Sequence, residues 1–355
     1  MAEYKRLGDH IREVNVRNRD LKVTNLLGLS MSKQFRPSTS NIVGVDLTKY
    51  KVVGRNVFAF DPMSVIRVHK VPIAINDTND PIIVSPAYYT FEVIDSFQLL
   101  PQYLMMWFQR TEFDRYADFK SDAAIRGGYD WDELCNTPIY IPSITRQREI
   151  VSEYETLTNR IRLNNQMIQH LEATAQALYR KTFVDSIDKE NLPVGWRNGT
   201  ISEIAEVKNG KAILPNGGNI PVYGGNGIVG YANDSNAEGV VVIGRVGINC
   251  GSLYLNQSSC YVNDNAMMAI PKDGNIIFLY RTLMEMDLNS QSEGSGQPLL
   301  TQSIIYKQEC LIPKQEQCIK FEEQMRIVYK QKYLIEQENE KLTELQSLLL
   351  AKMGQ

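Results

Sequence analysis

The sequence predicts an α+β protein: two similar mixed α/β domains, each followed by a long helix, with the two helices paired as an antiparallel coiled coil about a pseudo-two-fold axis. Three observations predict it. The second half repeats part of the first at a fixed offset, two long polar segments carry the same apolar stripe, and short β-type runs fill the stretches before them.

The repeat sets the domain plan. Ser121-Asp122 through Tyr140-Ile141-Pro142 aligns without a gap with Ser292-Glu293 through Leu311-Ile312-Pro313, an offset of 171 residues. Solenoid units are far shorter, roughly 20 to 50 residues, so one domain has been used twice. With 355 residues there is chain enough for two cores. The expected boundaries are 1–142 for the first domain, 143–186 for the first spacer helix, 187–313 for the second domain and 314–355 for the second spacer helix.

Within 1–142, Val52-Val53-Gly54 into Val57-Phe58-Ala59-Phe60, and Ile82-Ile83-Val84, read as strands, whereas Tyr103, Leu104, Trp107 and Phe108 after Pro101 give one helical pattern from Leu100 to Tyr116. From Thr145 to about Phe183, residues Ile150, Tyr154, Leu157, Ile161, Asn164, Ile168, Leu171, Ala175 and Leu178 alternate steps of four and three, which is a coiled-coil seam. Asn164 alone breaks it, and a polar seam residue fixes register. Phe321, Met325, Val328, Ile335, Leu342 and Leu349 stand at matching offsets in a segment starting near Gln315. Two such helices can cover each other's stripe in antiparallel fashion; the alternative is that each packs on its own domain.

Leu192-Pro193-Val194-Gly195-Trp196 reads as a linker and the entry to the second domain. Beyond it, Gly- and Asn-rich turns separate runs such as Val240-Val241-Val242-Ile243, Gly251 to Leu255 and Tyr261-Val262, so strands are expected. A helix from Ile276 to Asp287 mirrors the one at Tyr103 at an offset of 175, so the two domains differ in loop length.

Composition narrows the chemistry. No run approaches the ~18 apolar residues of a membrane span, and Met1-Ala2-Glu3-Tyr4-Lys5-Arg6 lacks the apolar core of a signal peptide, which places the chain in the cytoplasm away from membranes. Cys135, Cys250, Cys260, Cys310 and Cys318 form no CxxC pair, and His10, His69 and His170 are scattered, so buried reduced thiols are expected rather than a zinc site or disulfides. A net charge of −3 argues against binding nucleic acid chiefly by coating phosphates, although residues 1–60 hold eleven Lys or Arg against five acids. Gly225-Asn226-Gly227-Ile228-Val229-Gly230 matches GxGxxG, but Tyr231 to Asn236 is turn-forming where a dinucleotide site demands a helix, so a glycine-rich surface loop is expected. There is no GxxxxGK[ST], HExxH, GxSxG or Asn-Pro-Pro-Tyr, and the spacing of Asp130, Asp132 and Glu133 demands no metal.

The ordered series Tyr223 to Tyr231, Val242-Ile243-Gly244-Arg245-Val246-Gly247, Gln297-Pro298, then Leu311-Ile312-Pro313 with Glu316-Gln317 resembles the specificity subunit of Type I restriction-modification systems. Val84-Ser85-Pro86-Ala87-Tyr88, Leu100-Pro101-Gln102-Tyr103-Leu104 and Ile141-Pro142 with Gln147 play the same parts in the first half. The resemblance covers nearly the whole chain. It departs at Tyr4 to His10, which lacks the Pro-x-Gly-Trp entry of the second domain and leaves the first domain's N-terminal boundary open. It implies a non-catalytic subunit with two target recognition domains that read a bipartite asymmetric site in double-stranded DNA. It also implies two modification (methyltransferase) subunits and restriction subunits as partners, with S-adenosylmethionine, ATP and Mg on those partners and no cofactor in this chain. The competing readings are an enzyme with its own methylation domain, for which no motif is present, and a non-DNA adaptor whose helical rod joins two protein-binding heads.

Base edges are read by forked side chains on exposed loops, with Arg or Lys for guanine and Asn or Gln for adenine. The candidates in the first domain are Lys33, Gln34, Arg36, Arg67, His69, Lys70 and Arg126. In the second they are Lys208, Asn209, Lys211, Asn226, Arg245, Ser295 and Gln297. Any one of them could equally be a solvated surface residue or a structural ion pair.

Overall fold

The chain divides between Asn164 and Asn165 and between Gln337 and Glu338, inside its two long helices rather than at their ends. The computed structural model describes residues 4–39, 44–122, 129–293 and 298–354. One unit is Met1–Asn164 with Glu338–Gln355, and the other is Asn165–Gln337.

The first unit contains, in order, strands β1 (Tyr4–Arg6), β2 (Ile11–Glu13), β3 (Leu27–Leu29), β4 (Phe35–Pro37), β5 (Lys51–Val53) and β6 (Phe58–Phe60), helix α1 (Val65–Val68), and strands β7 (Ile73–Ile75), β8 (Ile82–Val84) and β9 (Tyr89–Val93). Helices α2 (Pro101–Gln109), α3 (Thr111–Asp122) and α4 (Trp131–Cys135), strand β10 (Pro138–Tyr140) and the first half of α5 (Ile144–Phe183) follow. An antiparallel sheet in the order β2-β9-β6-β7 carries the core, with β3-β4, β5-β8 and β1-β10 as separate ribbons. Phe58 stacks on Phe91 at 4.8 Å, and both meet the edge of Phe108 from α2.

Helix α2 begins where Pro101 presets the first turn and is buried nearly all round. The single helical pattern expected from Leu100 to Tyr116 is in fact two helices. The backbone turns extended at Arg110 (φ −68°, ψ 140°), and α3 starts again at Thr111. Gln147 on α5 is fully buried; it accepts from the Leu100 N–H at 2.9 Å and donates to the Gln98 and Pro142 carbonyls at 2.8 and 2.9 Å. Those bonds seat the start of α5 against the start of α2.

The second unit runs through the second half of α5, β11 (Arg197–Thr200), α6 (Ile201–Ile204), β12 (Ala205–Asn209), β13 (Ile220–Gly224), β14 (Gly227–Ala232), β15 (Ala237–Gly244), β16 (Leu253–Val262), β17 (Ala266–Pro271), α7 (Ile276–Met284), α8 (Gln302–Tyr306), β18 (Glu309–Ile312) and the first part of α9 (Gln315–Lys352). Its six-stranded sheet has the order β12-β17-β15-β16-β13-β14, with β13 and β16 parallel and the other pairs antiparallel. One face, with Val207, Val241, Ile243 and Ala269, packs on α7 and the long helices; the other, with Val240, Val242, Val262 and Met268, forms a smaller core. The entry Pro193 to Trp196 is fixed by the Trp196 indole, which is buried and donates to Gln317 Oε1 at 2.5 Å.

The long helices run antiparallel within each unit. In the first, Gln346 reaches Thr158 at 2.7 Å, and Glu338 holds Arg160 at 2.9 Å. In the second, Lys332 sits 2.5 Å from Glu172, and the rings of Tyr179 and Phe321 lie 5.9 Å apart. Glu172 also pairs with Arg281, whose guanidinium is otherwise buried beside Tyr280 and Tyr329. Each core therefore includes the start of one long helix and the end of the other.

Both offsets of the sequence repeat are structural. Adding 171 carries α4 onto α8, β10 into β18 and the start of α5 onto that of α9, and adding 175 carries α2 onto α7. The four-residue difference falls where the first unit inserts α3. Among the described residues no helix is long and apolar enough to cross a membrane, and no group of three or more His, Cys, Asp or Glu could hold a metal. The five thiols are free; four are buried and Cys310 is half-buried.

Candidate nucleic-acid interface

One end of the second unit's sheet gathers four loops that are far apart in sequence. The residues after β12, the β13-β14 turn, the segment after β15 and the turn before β17 are tied together by their backbones. Gly210 N donates to Ala266 O at 3.0 Å and Lys211 N to Val262 O at 3.0 Å. Arg245 N donates to Asn265 O at 3.0 Å, and Asn263 N to Tyr223 O at 2.9 Å. Gly244 is required here, because a Cβ would collide with the carbonyls of Asn249 and Gly225. The glycines let backbones close on one another, which presents side chains from four strands on one rim.

Lys211 and Asn226 are exposed on that rim, Asn226 at the tip of the Gly225-Asn226 hairpin turn. The GxGxxG stretch is thus a turn leading into β14, with no helix following it. Asn209 ends β12 with its side chain exposed. Lys208 is exposed but paired to Glu206 at 2.8 Å on the outer face of the same strand. Arg245 is half-buried, and its Nε has no hydrogen-bond partner among the described residues. Ser295 and Gln297 lie outside the described residues, although their loop returns at Pro298, whose carbonyl accepts from Gly247 N at 3.0 Å.

In the first unit Lys33 departs from the expectation. It is 6% exposed, occupies the left-handed region (φ 59°) in the β3-β4 turn, and its Nζ lies 2.7 Å from Asp114 Oδ1 while also bonding the Phe108 carbonyl. Burial pushes its ammonium below the usual lysine range, and Asp114 pulls the other way. A side chain so committed is a structural bolt that cannot reach a base. Asp114 also accepts from Val71 N at 3.0 Å, so the β3-β4 turn and the segment after α1 both hang on α3. Around this anchor Gln34, Arg36, Arg67 and Lys70 are exposed. Arg36 keeps a bond to Leu29 O at 3.2 Å, Arg67 reaches Ser64 at 3.4 Å, and His69 meets Asp118 at 2.9 Å. Arg126 lies outside the described residues.

Residues 193–348 match the family model described as the Type I restriction modification DNA specificity domain. Over those residues, which make up less than half of the chain, it is similar to that family. A stretch of 101 residues is 31% identical to the specificity subunit of the Type I restriction enzyme EcoprrI of Escherichia coli, covering 28% of this chain and 25% of that protein. The match thus spans about a quarter of that relative's length. Outside the matched residues, the fold supplies the likeness. An S subunit of a Type I restriction-modification system from M. genitalium superimposes with a TM-score of 0.62 over 99% of this chain and 96% of that one, at 14% identity.

On the rim of the second unit stand two residues that the sequence alone did not single out. Asp264 and Asn265 are exposed in the β16-β17 turn, where the Asn265 carbonyl organises Arg245. The triplet Asn263-Asp264-Asn265 between two apolar runs is the signal that could have found them. In the first unit Asp114 was read only as part of a helical pattern.

Proposed function

We propose that this chain is the non-catalytic DNA-reading subunit of a Type I restriction-modification complex, each unit reading one half of a bipartite asymmetric site in double-stranded DNA. The observation that carries the reading is the convergence of Lys211, Asn226, Arg245 and Asn265 on one rim of the specificity domain. Two cations for guanine and two amides for adenine are groups that distinguish base edges in the major groove. A chain of net charge −3 cannot rely on phosphate neutralisation, so partners bring part of the backbone contact while this chain specifies the bases.

The two halves of the site differ because the two units differ. The first displays its cations around the inserted helix α3, and the second around a six-stranded sheet. In this reading two modification subunits bind the chain and carry S-adenosylmethionine, and restriction subunits bring ATP and Mg, all within the cytoplasm. The test is to map methylated adenines in cells that hold a Type I modification subunit, with and without this chain. A two-part motif that vanishes with the chain is expected; methylation that does not depend on the chain overturns the proposal.

A further inference from the structure

Among the described residues the most exposed large apolar side chain is that of Ile248, at 92%, and it stands among the loops that gather at the end of the second unit's sheet. It lies in a short 3-10 turn, Gly247–Asn249, between β15 and β16. The turn is braced on every side. Gly247 takes φ 70° and donates to Pro298 O at 3.0 Å, Cys250 N returns to Gly247 O at 3.0 Å, Gly251 N to Gly244 O at 2.8 Å and Ser252 N to Asn249 O at 3.1 Å. The Asn289 side chain closes the far side by donating to Cys250 O at 2.7 Å.

An exposed isoleucine on a floppy loop is ordinary surface. Here a β-branched side chain, stiff at χ1, is carried on a turn that five hydrogen bonds hold still, beside the side chains argued above to read base edges. Among the described residues, the rim around it also offers amides, cations and a carboxylate: Asn226, Asn265, Lys211, Arg245 and Asp264. In the major groove, those types recognise adenine, guanine and cytosine. Thymine presents a C5-methyl group, which only an apolar contact can read.

We propose that Ile248 is a specificity-determining residue, reading the C5-methyl of one thymine in the half-site bound by the second unit. This rests on the DNA-reading function proposed above and adds one letter to it.

The experiment selects duplexes from a randomised pool with the full chain in complex with Type I modification subunits, then replaces each thymine of the selected motif in turn by deoxyuridine, which lacks only the methyl. Burial of one methyl corresponds to roughly a three- to five-fold change in affinity. The unsubstituted chain is expected to lose that factor at one thymine and at no other in the same half-site. Ile248→Ala, at a site too exposed to disturb folding, is expected to bind the thymine and uracil duplexes equally while keeping the rest of the motif. Indifference of the unsubstituted chain to every such replacement overturns the inference and leaves the DNA reading standing. So does an Ile248→Ala chain that still discriminates, or one that is weakened equally on all duplexes, as a wedge between base pairs would be. A pool that yields no motif defeats the DNA reading itself, and the inference with it.

Discussion

Asn164 donates from Nδ2 to Oδ1 of Asn339 at 2.9 Å, so the one polar break in the seam of α5 meets a polar residue on α9. The same amide lies 3.0 Å from Glu338 Oε2, and Glu338 in turn holds Arg160 at 2.9 Å. Asn339 stands 171 residues after Ile168, so the repeat places an amide on one helix where the other has an aliphatic side chain. A half-buried polar cluster of this kind fixes register, because any axial slip would leave amides facing hydrocarbon.

A double-mutant cycle on this pair measures the contact. Asn164→Ala alone is expected to cost about 1–3 kcal/mol of unfolding free energy, since it leaves the other groups unpaired. Combined with Asn339→Ala, the two changes are expected to be non-additive by about 0.5–1.5 kcal/mol in denaturant unfolding of the full chain. Strict additivity would show that the amides do not meet.

Lys33 distinguishes a structural cation from a reading one. Because Asp114 is buried with it, Lys33→Ala strands a carboxylate and is expected to destabilise the first unit by about 3–5 kcal/mol. Urea unfolding reports this directly. A variant of unchanged stability that binds DNA less well would restore Lys33 to the interface.

Glu322 on α9 gives a pH signature. It is 8% exposed and its Oε1 accepts from Phe278 N at 2.8 Å at the start of α7. Burial raises its carboxyl above the usual range, against the opposing pull of the Phe278 and Ile277 N–H groups and Arg326. The folded state therefore binds more protons than the unfolded state just above the ordinary carboxylate value. Stability falls as pH rises from that value through the raised one, then levels off. Glu322→Gln keeps an acceptor for Phe278 and is expected to abolish this slope and to stabilise the chain at neutral pH by on the order of 1 kcal/mol. Equal slopes in the two proteins, followed by thermal unfolding across the acid range, would contradict the burial account.

What could be read from the sequence was whatever periodicity records. The seamed segment read from Thr145 to about Phe183 located α5 to within a residue or two, and the apolar runs at Val52, Phe58, Ile82 and Val240 became β5, β6, β8 and β15. Long helices and buried strands repeat their pattern locally, so neighbours in sequence carry the signal. The break at Arg110 and the burial of Lys33 depend instead on partners far along the chain, since Asp114 is 81 residues from Lys33. The letter is the same for a lysine in water and one in a core. For the same reason the gathering of Lys211, Asn226, Arg245 and Asn265 could be suspected only as a set of separate turns.

The central claim is that the gathered rim of the second unit reads one half of a two-part DNA site. Its most direct measurement is genome-wide mapping of methylated adenines in cells that carry a Type I modification subunit with either the unsubstituted chain or a Lys211→Ala, Asn226→Ala double variant. Both side chains are exposed and hold no part of the core. The account predicts that one half of the motif relaxes at one or two positions, each worth about 1–3 kcal/mol, while the other half is unchanged. An unaltered motif, or equal loss across both halves, would contradict it.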